Sequence, residues 1–209
     1  MKKLTTNDKK IAVDLLSQGY SKAAASFSMM TRKHVNFAAT KVDISIDGRE
    51  VINYLKKDKE IILLTTSIIG EYSGKSYLLF NKEEAEAVYR ACMPYNSDDY
   101  LRSMEMEALL KELDNILSAA VITEFSNKLD AVIFGDVPIY TMTNQAQLLK
   151  KIEEDLSQMR GQANYFIISN AQFIFDDNTQ LCPQFIWKLT DEFLKSLQLK
   201  RSQNENSLT

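Results

Sequence analysis

Two segments of the chain carry the same small pattern in the same register. Phe27-Ser28 follows Asp14 by the interval at which Phe125-Ser126 follows Glu112, so the copies lie 98 positions apart. Around each copy the local signals run in one order: a long helical pattern, a strand, a hairpin, a short helix. A unit of this length is too long for a solenoid period, and 209 residues hold two copies and little more. Such a chain is constrained to α+β architecture, with two related units sharing one largely antiparallel sheet and their long helices packed on one face of it. The expected layout is a single domain over 1–209, with repeat one at about 8–93, repeat two at about 101–200 and a frayed tail at 202–209.

Periodicity and punctuation supply the elements. Thr5-Thr6-Asn7-Asp8 offers caps for a helix reaching about Met30. Val42 to Ile46 alternates with period two and stops at the Asp47-Gly48 turn. Ile61 to Ile69 and Lys75 to Phe80 form an antiparallel hairpin around Gly70-Glu71-Tyr72-Ser73-Gly74. Asn81 caps a short helix that Pro94 closes. A second long helix is expected from about Leu101 to Lys128, then strands at Ala131 to Phe134 and Ile139 to Met142 around the Gly135-to-Pro138 break. Asn144 caps a charged helix to about Met159, longer and more charged than this position requires and without an assigned role. Tyr165 to Phe175 and Gln180 to Leu189 read as strands joined at Asp176-Asp177-Asn178, before a terminal helix from Asp191 to Lys200.

Charge and composition narrow the function. With 25 basic and 28 acidic residues there is no cationic surplus to neutralise nucleic-acid phosphates. One histidine, His34, and two well-separated cysteines, Cys92 and Cys182, argue against a Cys/His metal site. His34 lies in a polar connection and reads as a solvated loop residue. The amino terminus has no apolar signal segment, and no apolar run approaches membrane-spanning length, so a cytoplasmic protein is expected.

The second long helix carries the informative pattern. Leu109, Leu113, Ile116, Leu117 and Ala120 keep core spacing. A second stripe runs through Ala108, Glu112, Asn115, Ala119, Ile122 and Ser126, and on it Glu112 and Asn115 project together as the only long polar groups. Small residues at 108 and 119 leave room for another molecule's surface, with Ile122 as an apolar contact. By themselves these residues fit an ordinary solvated face, although asparagine is a mediocre mid-helix residue because its amide competes for backbone hydrogen bonds.

Glu112-x-x-Asn115 followed by the distant Pro138 resembles the signature of the CheC/CheX/FliY family of chemotaxis phosphatases, and the length is closest to CheC. Phe125-Ser126, the Ser-Gly hairpin turn and Ala23-Ala24-Ala25-Ser26-Phe27-Ser28 also resemble the family, so the likeness covers roughly 8–200. There are departures. Ala108 stands where the family often has Asp or Ser, and the first repeat has Asp14, Ser17 and Thr40 at the Glu, Asn and Pro positions, which makes it a remnant.

The resemblance implies a CheC-like pseudo-twofold fold and hydrolysis of the aspartyl phosphate on a CheY-like response regulator. Asn115 would orient the attacking water and Glu112 would dock on a cation beside the phosphorylation site. The chain would need no cofactor of its own, magnesium being held in the regulator's acidic pocket. It also implies two other roles: an adaptor that engages CheD without useful catalysis, or a flagellar-switch component like FliY. The CheC-like unit occupies almost the whole chain, an expectation that points away from switch proteins with added segments.

Overall fold

A computed structural model describes residues 6–45, 60–94, 97–157 and 164–196. In chain order the elements are α1 (Thr6–Thr31), β1 (Val35–Ser45), β2 (Ile61–Gly70), β3 (Gly74–Asn81), α2 (Lys82–Cys92), α3 (Asp99–Leu129), β4 (Ile133–Gly135), β5 (Ile139–Thr143), α4 (Gln145–Ser157), β6 (Asn164–Phe175), β7 (Gln180–Leu181) and β8 (Gln184–Thr190). Residues 191–196 are helical. The strands form one sheet, ordered β1-β6-β8-β3-β2-β4, with β5 also on β2 and β7 on β6. Every pairing is antiparallel.

That order reads the same from either end once repeat equivalents are exchanged. β3 and β8 are neighbours at the centre, β2 and β6 flank them, and β1 lies at one edge with β4 and β5 at the other. Each repeat therefore sends its first strand to the partner repeat: β1 pairs with β6, and β5 with β2. Each repeat's own hairpin, β2–β3 in one and β6–β8 in the other, is thus extended by a strand from its partner.

The repeated Phe-Ser motif has a local cause in both halves. Phe27 and Phe125 are fully buried. Ser28 accepts from the Val35 N–H at 2.9 Å, and Ser126 donates to the Ala131 carbonyl at 2.6 Å, so each serine ties a helix end to the segment that follows. α3 begins two residues earlier than its apolar periodicity indicates, because Asp98 caps it by accepting from the N–H groups of Tyr100 and Leu101. It ends at Asp130, in the left-handed conformation with φ of 51°. Asn81 and Glu84 form a full capping box at α2.

α1 and α3 pack against each other on one face of the sheet, as expected. A Cβ on Gly19 would lie 2.6 Å from Val121 Cγ2, so the two helices meet backbone to side chain at that point. Their core joins Leu16, Tyr20, Phe27, Leu113, Leu117 and Phe125 to sheet residues such as Leu64, Leu78 and Trp187. α4 covers the opposite face, where Leu148 and Ile152 meet Leu63, Tyr77, Phe166 and Ile186. This explains the charged helix left without a role. Asp155 of α4 accepts from Tyr77 at 2.7 Å and from Lys75, while Lys188 donates to its carbonyl.

Three strand boundaries differ from expectation. β1 begins at Val35, seven residues before the alternating run, because Val35 and Phe37 are buried; a bulge at Thr40/Asp43, with Lys41 at φ of 50°, then breaks the period. Pro183 divides the last expected strand into β7 and β8. β4 starts at Ile133 rather than Ala131. The Asp47-Gly48 turn, residues 158–160, 197–200 and the tail 202–209 lie outside the described residues.

Candidate functional site

Glu112 and Asn115 are both exposed on α3, one helical turn apart, with exposed Ala108 and Ala119 above and below them. Neither side chain makes a hydrogen bond or ion pair among the described residues. The Asn115 carbonyl accepts from the Ser118 hydroxyl at 3.4 Å, so only its side-chain amide is free to act outward. Nearby Lys111 is committed to Glu107 at 2.5 Å.

Pro138 comes to the same level of the molecule. Gly135 pairs with Ile68 and Ile139 pairs with Thr65, which places the 136–138 break beside Thr66. The Thr66 hydroxyl donates to Asp114 Oδ2 at 2.7 Å, next along the helix from Asn115. Pro138 is buried while Val137 is 77% exposed, so the break turns one apolar side chain in and the other out to solvent. Pro138 thus lies in the strand break that adjoins Thr66, the residue bonded to the helix position before Asn115.

Ile122 does not belong to the exposed stripe. It is 2% exposed, because a Cβ at Gly135 would sit only 3.1 Å from its Cδ1 and β4 covers it. Val137, in the 136–138 break that follows the covering strand, is an exposed apolar side chain. Ser126 is half-buried and occupied at the helix end. The intended core positions Ile116 and Ala120 are only partly buried, though packed on the core.

Asp114 was not singled out by the pattern. Its carboxyl is fully buried, Oδ2 is bonded to Thr66 and Oδ1 has no partner, and burial pushes its pKa up to about 7. The signal was a second row, Leu110, Asp114, Leu117, Val121, at helical spacing. α3 is buried over a wide arc because α1 lies on one side of it and the sheet beneath, so this row is core as well.

The first repeat presents Asp14 and Ser17, both exposed on α1. Thr40, at the proline position, sits at the β1 bulge, the counterpart of the 136–138 break. His34 is exposed, and its N–H donates to Asp176 Oδ2 at 2.8 Å. Among the described residues no cluster of His, Cys, Asp and Glu is arranged to hold a metal, and no helix is long and apolar enough to cross a membrane.

Neither Glu112 nor Asn115 lines the cavity of about 210 Å³ between α2, β5 and the start of α3. Its Arg102 is already paired with Glu86 and Asp99. The pair occupies an open convex helix face, a shape that meets another macromolecule's surface rather than enclosing a small molecule.

The interleaved sheet with two long helices on one face is the CheC-type fold. No family model and no curated protein matches the chain by sequence. Among solved structures, FliY of Thermotoga maritima superposes with a TM-score of 0.70 at 13% identity, over 97% of this chain and 99% of that one. A chain of the FliG–FliM complex of H. pylori gives 0.59 at 11% identity, over 91% and 98%. The FliM middle domain of H. pylori gives 0.53 at 11%, over 94% and 99%. Identities of this size establish the shared fold.

Proposed function

We propose that the chain is a CheC-type phosphatase that hydrolyses the aspartyl phosphate of a CheY-like response regulator through Glu112 and Asn115. The observation that carries this reading is the unpartnered Glu–Asn pair on an exposed helix face, level with the Pro138 break. A primary amide donates and accepts hydrogen bonds at once, so Asn115 can hold a water in line with the phosphorus–oxygen bond without acting as a base. The water oxygen bonds to phosphorus as the bond to the regulator's carboxylate breaks, giving free aspartate and inorganic phosphate. Glu112 sets the register by pairing with a cation beside the phosphorylation site. Magnesium stays in the regulator, so this chain supplies only position, where a misplacement near 1 Å costs on the order of 100-fold.

The test is loss of labelled phosphate from the regulator. Asn115→Ala should slow it by roughly 10- to 100-fold while leaving complex formation intact. Glu112→Ala should weaken engagement, with a reduced dependence on salt, since a charge across an interface is screened. Asn115→Ala hydrolysing as fast as wild type would rule the mechanism out.

The likeness to FliY and FliM favours a second reading, a switch or adaptor module that binds a FliG-like or CheD-like partner without catalysis. This chain spans 99% of the solved FliY chain, which supports keeping the switch reading beside the phosphatase reading. A wild type that never exceeds the regulator's spontaneous rate, yet binds such a partner, would establish this alternative.

A further inference from the structure

Beneath the Glu–Asn turn lies a row of polar side chains inside an otherwise apolar core. Thr66 pairs with Ser76 and Ser76 with Trp187, so the three side chains point to the same face of neighbouring strands β2, β3 and β8. Asp114 descends from α3 onto Thr66. Each of the four is at most 1% exposed. Asp114 Oδ1, Ser76 Oγ and Trp187 Nε1 all lack hydrogen-bond partners. One free acceptor and two free donors therefore share a single buried row, and Trp187 is also packed edge-on against Phe125 of α3 at 5.5 Å.

Leaving buried polar atoms unmade is costly, about 1–3 kcal/mol each in general. The cost differs between the two states of Asp114. As a neutral acid it has one O–H to place, for which a single hydroxyl acceptor such as Ser76 is enough. As a carboxylate it demands donors, and the uncommitted ones nearest along the row are the Ser76 hydroxyl and the Trp187 indole N–H.

We propose that Asp114 is a proton-linked positioning residue: its ionisation recruits Ser76 and Trp187 and shifts the α3 turn that presents Glu112 and Asn115. The inference assigns regulation by pH to the site of the proposed function, and so rests on that reading for its purpose. Its physical content is independent of catalysis.

The surroundings isolate the group. From α1, Lys22 is bound to Glu124 rather than to Asp114. From β5, Tyr140 faces Glu107, and on α3 itself Lys111 pairs with Glu107. Asp136 of the β4–β5 break is exposed, and the polar side chains that β2, β3 and β8 place in this row, among the described residues, are Thr66, Ser76 and Trp187. Burial is the main cause of the upward push on Asp114, with Thr66 opposing it, and no charged group contributes. Burial pushes the Asp114 pKa up to about 7. The sign follows: with the pKa raised from 3.8, the stability this group contributes is fully in place below about pH 3.8 and is lost as pH rises to about 7.

Trp187 is the only tryptophan in the chain, so its indole gives one resonance and one emission band. The experiment follows the Trp187 indole N–H and the Glu112 and Asn115 amides by NMR from pH 5 to pH 9, in wild type and in Asp114→Asn. All three signals should titrate together in wild type with a midpoint near neutrality and stay flat in the variant. Thermal unfolding supplies a second reading: wild type should lose ground to Asp114→Asn as pH rises from 5 to 8. An indole signal that ignores pH, or that titrates equally in the variant, overturns the proposal. A titrating indole with static Glu112 and Asn115 amides overturns the link to the site. None of these outcomes depends on phosphatase activity, so failure here and failure of the proposed function are told apart.

Discussion

Gly19 is where α1 comes closest to α3, and replacing it with alanine tests whether that contact fixes the helix bearing the site. The added methyl would stand 2.6 Å from Val121 Cγ2, 2.8 Å from Val121 Cα and 3.1 Å from Val121 N. Comfortable carbon–carbon contact is about 3.5–4.0 Å. Turning the Val121 side chain relieves the first contact only; the other two are backbone, so the helices must separate by about 1 Å. Overpacking of this kind costs about 1–3 kcal/mol. Alanine recovers roughly 1 kcal/mol because it is the better helix former. With backbone atoms in the way the larger cost applies, and the net loss should be about 1–2 kcal/mol. Urea unfolding measures it as a lower midpoint at constant slope. In a Val121→Ala background, which has its own loss from the buried methyls removed, Gly19→Ala should cost less than it does alone, since the side-chain clash goes and the backbone clashes stay. A gain of about 1 kcal/mol in the single variant, the value for an uncrowded helix position, would refute the claim that the two helices are locked at this point.

Two further outcomes are expected. Replacing both Asp14 and Ser17 with alanine should leave regulator dephosphorylation within about threefold of wild type, under 1 kcal/mol of barrier, because neither group offers the reach of glutamate or the two-way hydrogen bonding of an amide; a loss like that of Asn115→Ala would show the first repeat to be active. Asp155→Ala should release α4 from the sheet, costing about 2–3 kcal/mol once the partial exposure of Lys75 is allowed for. The Lys75 and Tyr77 contacts hold the Asp155 carboxyl below its ordinary value against the opposing effect of burial, so its contribution is in place above about pH 3.8 and is lost on further acidification. Thermal unfolding against pH should therefore show the variant's deficit shrinking in acid, and a constant deficit would contradict the pairing.

The readable parts of the fold were those in which one residue type has one structural use. The Phe-Ser repeat, the Asn81 cap and the Ser-Gly hairpin each act locally, and each stands where the sequence places it. The strand exchange between repeats was hidden because β1 and β5 carry no mark of which neighbour they join; pairing depends on the assembled sheet. β1 was shortened in the reading because the bulge at Thr40 breaks its alternation. At the site, Glu112 and Asn115 were legible as neighbours on one face, and Pro138 through resemblance. Ile122 was misplaced because the stripe argument treats a helix as having one buried side, whereas α3 is enclosed by α1, β2 and β4. Asp114 was passed over for the same reason.

The two halves anchor their long helices to the sheet in chemically different ways, and that difference tracks the asymmetry of the candidate sites. α1 is tied to β6 by Tyr20, whose hydroxyl meets Ser169 at 3.1 Å, and Ser169 in turn donates to the Phe185 carbonyl. That chain is neutral and satisfied, and burial raises the Tyr20 pKa far beyond any ordinary pH. In α3 the link to β2 is Asp114, an acid with an orphan oxygen, while its counterpart 98 positions earlier in α1 is the fully buried Leu16. Beside Ser17 the chain has an apolar side chain, whereas beside Asn115 it keeps a buried acid whose pKa burial pushes up, a destabilising choice at neutral pH. Local rules of this kind are broken most often where function requires it. The buried acid and the unpartnered amide occupy consecutive residues of one turn, and the Asp14–Ser17 face of α1 has neither.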